Sequence, residues 1–220
     1  MENRADVVLV QMPDGFLTPS LALALLKQGI WDEGLSCSVE YASHLFVRQL
    51  GYDFYRYASN ALLLIASGGW ETVFAPYAGF KTSASMDDMM ELMKVEVTTS
   101  RNNLTQTVLE ENLTKRLVHS INSVCTRLQK EIPQFLEEEA ERILAMEPKI
   151  VGFSVMTQQK NATFSMCHLL KQKKPDIITL MGGGICVGET AKQFLKHVPD
   201  LDYVLPGRGT GPLAEPAKPF

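Results

Sequence analysis

The chain has 220 residues, enough for one large core and slightly long for one simple domain. Hydrophobic residues make up 45% and charged residues 21%, the balance of a folded soluble protein. The formal charge of -4, from 21 basic and 25 acidic residues, argues against nucleic acid as the main partner, because phosphate binding needs a basic surface. No stretch reaches the ~18–20 apolar residues of a membrane span. The polar start, Met1–Asp6, does not read as a secretory signal. The four cysteines, Cys37, Cys125, Cys167 and Cys186, have neither the spacing of a zinc knuckle nor that of an iron–sulfur site. Several sit in apolar surroundings and read as buried free thiols, which fits a reducing, cytoplasmic setting.

In chain order, Val7–Met12 is a continuous apolar, β-branched run, the mark of a strand covered on both faces in a parallel sheet. It ends at the turn residues Pro13, Asp14 and Gly15. Thr18, Pro19 and Ser20 open a helix with Thr18 or Ser20 as its cap, and Gly29 is expected to end it. Cys37–Tyr41 reads as a second strand. Tyr41–Tyr57 reads as an aromatic-rich helix broken at Gly51. Ala61–Ala66 fits a buried strand or the start of a buried helix, and the Trp70–Phe80 stretch is a short aromatic segment. Residues 84–147 predict a long helical excursion, in which Pro133 starts or bends a helix and Glu137, Glu138, Glu139 and Glu141 form a solvated face. After it come a strand at Lys149–Ser154, a helix at Gln158–Gln172 and a strand at Asp176–Met181. A helix at Glu189–His197 and a strand at Leu201–Leu205 follow. Strand–helix alternation at this spacing implies βαβ units, hence a doubly wound, mostly parallel, Rossmann-like (flavodoxin-like) α/β sheet with a helical insertion. We read one domain over residues 1–210, with a proline-rich tail at 211–220.

Ligands of such sheets bind beyond the C-terminal ends of the strands. Four glycine-rich or polar loops are expected on that rim: 13–20, 154–158, 182–184 and 206–209. Gly182, Gly184 and Gly188 make GxGxxxG and depart from the dinucleotide fingerprint, so the turn serves either the fold alone or close approach to a large ligand. Asp14 reads either as a ligand contact or as a helix cap; Arg208 reads either as an anion or partner contact or as an exposed side chain. Glu189 suits the positive end of a helix. No paired-histidine metal motif, no GxSxG and no P-loop is present, and no catalytic residue is assigned.

The order Val8–Pro13, Pro19–Lys27, Gly68–Pro76, Ile150–Ser154 with Gln158 and Gln159, Ile178–Gly184 and Asp202–Gly207 resembles the N-terminal cobalamin-binding domain of radical SAM proteins that mature ribosomally made peptides. The resemblance touches most of the chain outside 84–147. It implies a metal-binding, cobalamin-carrying module with the corrin ring against the C-terminal rim and the nucleotide tail beside the central strands. The positions carried over are Gly152, Ser154, Thr157, Gln158, Gly182, Gly183, Gly184, Gly207 and Gly209, with Asp14, Thr18, Ser20 and Arg208 as further rim contacts. The DxHxxG motif that supplies a cobalt-ligating histidine is absent: Asp14, Gly15 and Phe16 carry none, so cobalt is expected without a protein histidine. The CxxxCxxC cluster motif is also missing, so this chain cannot by itself cleave S-adenosylmethionine reductively, and no iron–sulfur cluster is expected in it. A radical SAM catalytic subunit or domain and a peptide substrate are the implied partners, with methylation as the candidate reaction. The competing reading is a degenerate module that has lost cobalamin and binds a peptide or partner protein.

Overall fold

The computed structural model describes residues 4–15, 17–63, 68–79 and 111–206. Among them five strands, β1 (Val7–Gln11), β2 (Cys37–Tyr41), β3 (Ile150–Ser154), β4 (Ile178–Gly182) and β5 (Tyr203–Leu205), form one sheet in the order β2-β1-β3-β4-β5. Every neighbouring pair is parallel. This is the flavodoxin-like doubly wound order, in which the winding reverses between β1 and β3. The β1 sequence explains its central place. Val8 and Val10 point into the larger core, while Val7 and Leu9 pack with Leu23, Ile30 and Cys37 on the other side. All four are almost fully buried, so only a strand covered on both faces suits them.

Helix α1 (Leu21–Asp32) covers the β1–β2 side of the smaller core. Its cap is Ser20, whose Oγ accepts from the Leu23 amide at 3.4 Å; Pro19 stands just outside the helix. Gly29 does not end it. The helix runs three residues further, to a close where the Gly34 amide reaches the Trp31 carbonyl. The aromatic stretch after β2 is two helices, α2 (Ala42–Leu50) and α3 (Tyr52–Leu63), divided at Gly51 as its sequence predicts. Ala61, Leu62 and Leu63 complete α3, which settles that apolar run as helix up to Leu63; residues 64–67 lie outside the described residues. Helix α4 (Gly69–Phe74) and a 3₁₀ turn (Ala75–Tyr77) follow.

The first part of the helical excursion, through residue 110, lies outside the described residues. From Glu111 to Leu144 the chain is one helix, α5, and Pro133 neither starts nor divides it. Side chains fasten α5 to its neighbours. Gln49 donates to the Glu131 carbonyl at 2.8 Å, Arg127 to the Leu50 carbonyl at 3.1 Å, and the Tyr77 hydroxyl to the Gln129 carbonyl at 2.9 Å. Its acidic run is not wholly a solvated face. Glu137 and Glu141 are exposed, but Glu139 is fully buried, because its position on the helix turns it toward β2 and Glu40. Helices α6 (Lys160–Lys173) and α7 (Gly188–His197) complete the βαβ units. Phe46, Phe74, Phe135, Tyr55 and Trp70 interlock in the core, with Phe46 stacked on Phe135 at 4.4 Å. All four cysteines are buried and unpaired, and burial raises the pKa of each thiol.

Candidate functional site at the reversal between β1 and β3

The strand order places the loops after β1 and β3 side by side, and the loop after β4 next to them. One residue ties the first two together. Gln159, buried just before α6, donates from Nε2 to the Met12 carbonyl at 2.8 Å and to Asp14 Oδ2 at 2.9 Å. Its Oε1 accepts from the Met156 amide at 2.8 Å. A single carboxamide thus sets the β1 loop, the β3 loop and the start of α6 relative to one another. Asp14 is buried in this contact and does not cap α1. The sequence offers Gln158 and Gln159 together but only Gln158 as a cofactor contact, since two adjacent glutamines look alike until the fold buries one. The signal that could have found it is position: the last loop residue before a helix at the reversal point.

The β4 loop closes against the β3 loop through glycine. The Val155 amide donates to the Gly182 carbonyl at 2.8 Å. Gly183 has φ +120°, and a Cβ there would sit 2.3 Å from the Val155 oxygen. Only a residue without a side chain allows that approach. Ser154 and Gly182 are register partners at the ends of β3 and β4. Gly184 is exposed with Met156 Sδ alongside its open face. Thr157 and Met156 are exposed too, and Gln158 is half-buried, with its Oε1 buried and lacking a hydrogen-bond partner. Leu21 and Val187, at the starts of α1 and α7, add exposed apolar surface to the same edge. Ser154, Thr157, Gln158, Gly182, Gly183 and Gly184 therefore come together. Gly152 stands apart. It lies in the middle of β3, where its missing side chain makes room for Leu9 and Leu180. Ser20 caps α1, Thr18 is exposed beside it, and Gly207, Arg208 and Gly209 lie outside the described residues.

Beneath the β1 loop sits α4, with all six of its residues buried. A Cβ on Gly15 would lie 2.8 Å from Trp70 Nε1, which is buried and without a hydrogen-bond partner. The next residue, Glu71, reaches α6. Its carboxylate accepts from the Lys160 amide at 2.9 Å and the Asn161 amide at 2.8 Å. Burial raises its pKa, and the two amides oppose that rise.

None of the four histidines lies in these loops: His44 is in α2, His119 in α5, His168 in α6 and His197 ends α7. His168 binds Asp200 at 2.8 Å, and the Asp200 carbonyl takes the hydroxyl of Thr179 near the start of β4, at the opposite edge of the sheet. Among the described residues no group of three or more His, Cys, Asp or Glu can hold a metal ion, which corrects the expectation of a metal-binding protein. Among them also no helix is long and apolar enough to cross a membrane.

Residues 123–217 match the family model of the B12 binding domain. No curated protein and no solved structure matches the chain significantly. The match runs from within α5 through β3, α6, β4, α7 and β5. It overturns the expected resemblance to an N-terminal cobalamin-binding domain beginning at Val8: the matched segment is the C-terminal part, and β1, β2 and α1–α4 precede it. A B12-binding domain is thus present in the second half, and its first matched strand, β3, pairs with an unmatched one, β1.

Proposed function

We propose that this chain carries cobalamin at the C-terminal edge of its sheet, between the loops after β1, β3 and β4, and presents it to a separate catalytic polypeptide or domain. The observation that carries the reading is the glycine turn after β4, pressed onto the β3 loop inside the segment that matches the B12 binding domain. The residues present fit the cofactor. The exposed backbone at Gly184 leaves space for a bulky ring system. Gln158 Oε1 is a buried acceptor without a donor, suited to the carboxamide groups that surround a corrin. Met156, Leu21 and Val187 offer apolar surface to its ring.

Ser154, Thr157, Gln158, Gly182, Gly183 and Gly184 would hold the cofactor, with Asp14 and Gln159 fixing the loops around it. Gly152 acts from within the sheet by letting Leu9 and Leu180 close on each other. No histidine from the rim loops would reach cobalt. Cobalamin, when bound, supplies the cobalt centre for methyl or radical transfer; the protein supplies position and exclusion of water. In its finer form the partner is a radical SAM subunit modifying a ribosomally made peptide. This chain has no CxxxCxxC, so in that form reductive cleavage of S-adenosylmethionine would belong to the partner.

The test is a cobalamin titration followed by removal of free cofactor and a visible spectrum. We expect near-stoichiometric retention with the spectrum of cobalamin lacking a lower imidazole ligand. Colourless protein in every cobalt oxidation state would overturn the reading and move the assignment to a scaffold that binds peptide or protein.

A further inference from the structure

The helices that follow β1, β3 and β4 begin on the ligand edge, and each presents unpaired backbone amides there unless something satisfies them. Helix α1 is closed by its own Ser20. Helix α7 is open to solvent, with exposed Glu189 in its first turn. Helix α6 follows β3 at the reversal point, where ligands of doubly wound sheets bind, and a free helix N-terminus there would attract an anion. It has no side-chain cap from Gln159. Its amides at Lys160 and Asn161 are taken instead by Glu71, about 90 residues away in the chain.

That arrangement is more than a helix cap. A Ser at position 159 would cap α6 locally and without burying a charge. Here a carboxylate only 7% exposed is carried in on a wholly buried helix, at a desolvation cost that its two amide bonds must offset. A further bond locks the carrier in place: Asn161 Nδ2 donates to the Glu71 carbonyl at 2.9 Å, while Ser165 Oγ shares its proton between the Asn161 carbonyl at 2.6 Å and the Phe74 carbonyl at 3.1 Å. Glu71 also precedes the segment that matches the B12 binding domain, so it is a contribution of the unmatched half.

We infer that Glu71 is a specificity residue of this edge: its carboxylate occupies the anion-binding end of α6 from inside, so that ligands anchoring there through a phosphate are refused. A ligand must then be held by neutral polar groups and the glycine turn. The inference rests on the reading that the ligand seats between β1 and β3. The ligand class it excludes at this helix is the phosphomonoester, for which inorganic phosphate and flavin mononucleotide, a ligand found at the switch point of this strand order, serve as probes.

The test uses the ¹⁵N-labelled full chain, titrated separately with inorganic phosphate and with flavin mononucleotide. For the wild type we expect no movement of the Lys160 and Asn161 amide signals up to about 10 mM of either. Glu71→Ala should bind phosphate at least about tenfold more tightly and move those two amides first. Glu71→Gln, which still fills the space, should stay silent. Submillimolar binding of either probe at α6 of the wild type would overturn the inference, as would a folded Glu71→Ala as silent as the wild type. If Glu71→Ala unfolds, phosphate should restore its melting transition at concentrations that leave the wild type unchanged, and failure of that rescue overturns it equally. Cobalamin retention is measured on the same proteins. Loss of retention in the wild type with phosphate gain in Glu71→Ala sinks the cofactor reading and leaves this one standing.

Discussion

Gly183 and Gln159 show how single residues build the ligand edge by different physics. Gly183 acts by what it lacks. At φ +120° with the Val155 backbone 2.3 Å from where a Cβ would stand, any side chain must push the β4 loop off the β3 loop. Gly183→Ala should cost about 3 kcal/mol from left-handed strain and overlap together. In a chain of this size that lowers the melting temperature by roughly 10 °C. Thermal unfolding checks the cost, and cobalamin retention should fall in the same variant. A melting point within about 2 °C of the wild type would show that the two loops separate freely and that the cradle is not rigid. Gln159 acts by what it bonds. The run Gly182–Gly184 announces itself in the sequence because three glycines have few other uses. Gln159 does not, since its role depends on Met12 and Asp14, which reach it only through the β1–β3 pairing.

At the scale of elements, α5 shows where sequence patterning succeeds and where it stops. Its 3.6-residue apolar rhythm is plain, and Ile121, Val124, Leu128, Ile132 and Ile143 are all buried. Glu139 breaks the rhythm, and nothing in a run of glutamates tells which of them faces inward. Its carboxylate oxygens have no hydrogen-bond partner, and Arg142 Nε stands 3.6 Å from one of them while holding Glu40 at 2.8 Å. Burial first, then Glu40, pushes its pKa up to about 7, against a favourable contribution from Arg142. The folded protein therefore keeps a proton that the unfolded chain releases near pH 4.5. The contribution of Glu139 to stability is fullest below that value and is lost as pH rises through about 7, by a total on the order of 3 kcal/mol. Glu139→Gln should remove most of this decline, as read from urea midpoints between about pH 5 and pH 8. Glu71, whose pKa is also raised, leaves a smaller slope of the same sign. An unchanged slope in Glu139→Gln would place the titration elsewhere.

The whole molecule is more than its matched segment, and this is where the alternation of strands and helices proved most informative. The doubly wound sheet was legible because most strands are short apolar runs framed by turn residues, and all five lie within two residues of where their sequences put them. The division of the sheet between two halves of the chain was not legible, because local patterning says nothing about which strands pair. Residues 123–217 contain β3, β4 and β5, but β3 completes its backbone pairing with β1 across four register partners. The larger core likewise mixes Val8, Val10, Phe46, Trp70 and Phe74 with Phe135, Phe153 and Met166. A fragment of residues 123–217 would expose both the β3 edge and the α5 face that now meets α2, α3 and α4. We therefore expect that fragment to lack a cooperative thermal transition and to self-associate on size-exclusion chromatography. Co-expression with residues 1–122 should restore a monodisperse complex, because the missing strand and helices come back as one folded complement. A monomeric fragment that melts cooperatively and retains cobalamin would show instead that the matched half is a complete domain. The β1 strand, the Asp14 loop and Glu71 would then be additions to a site that does not need them.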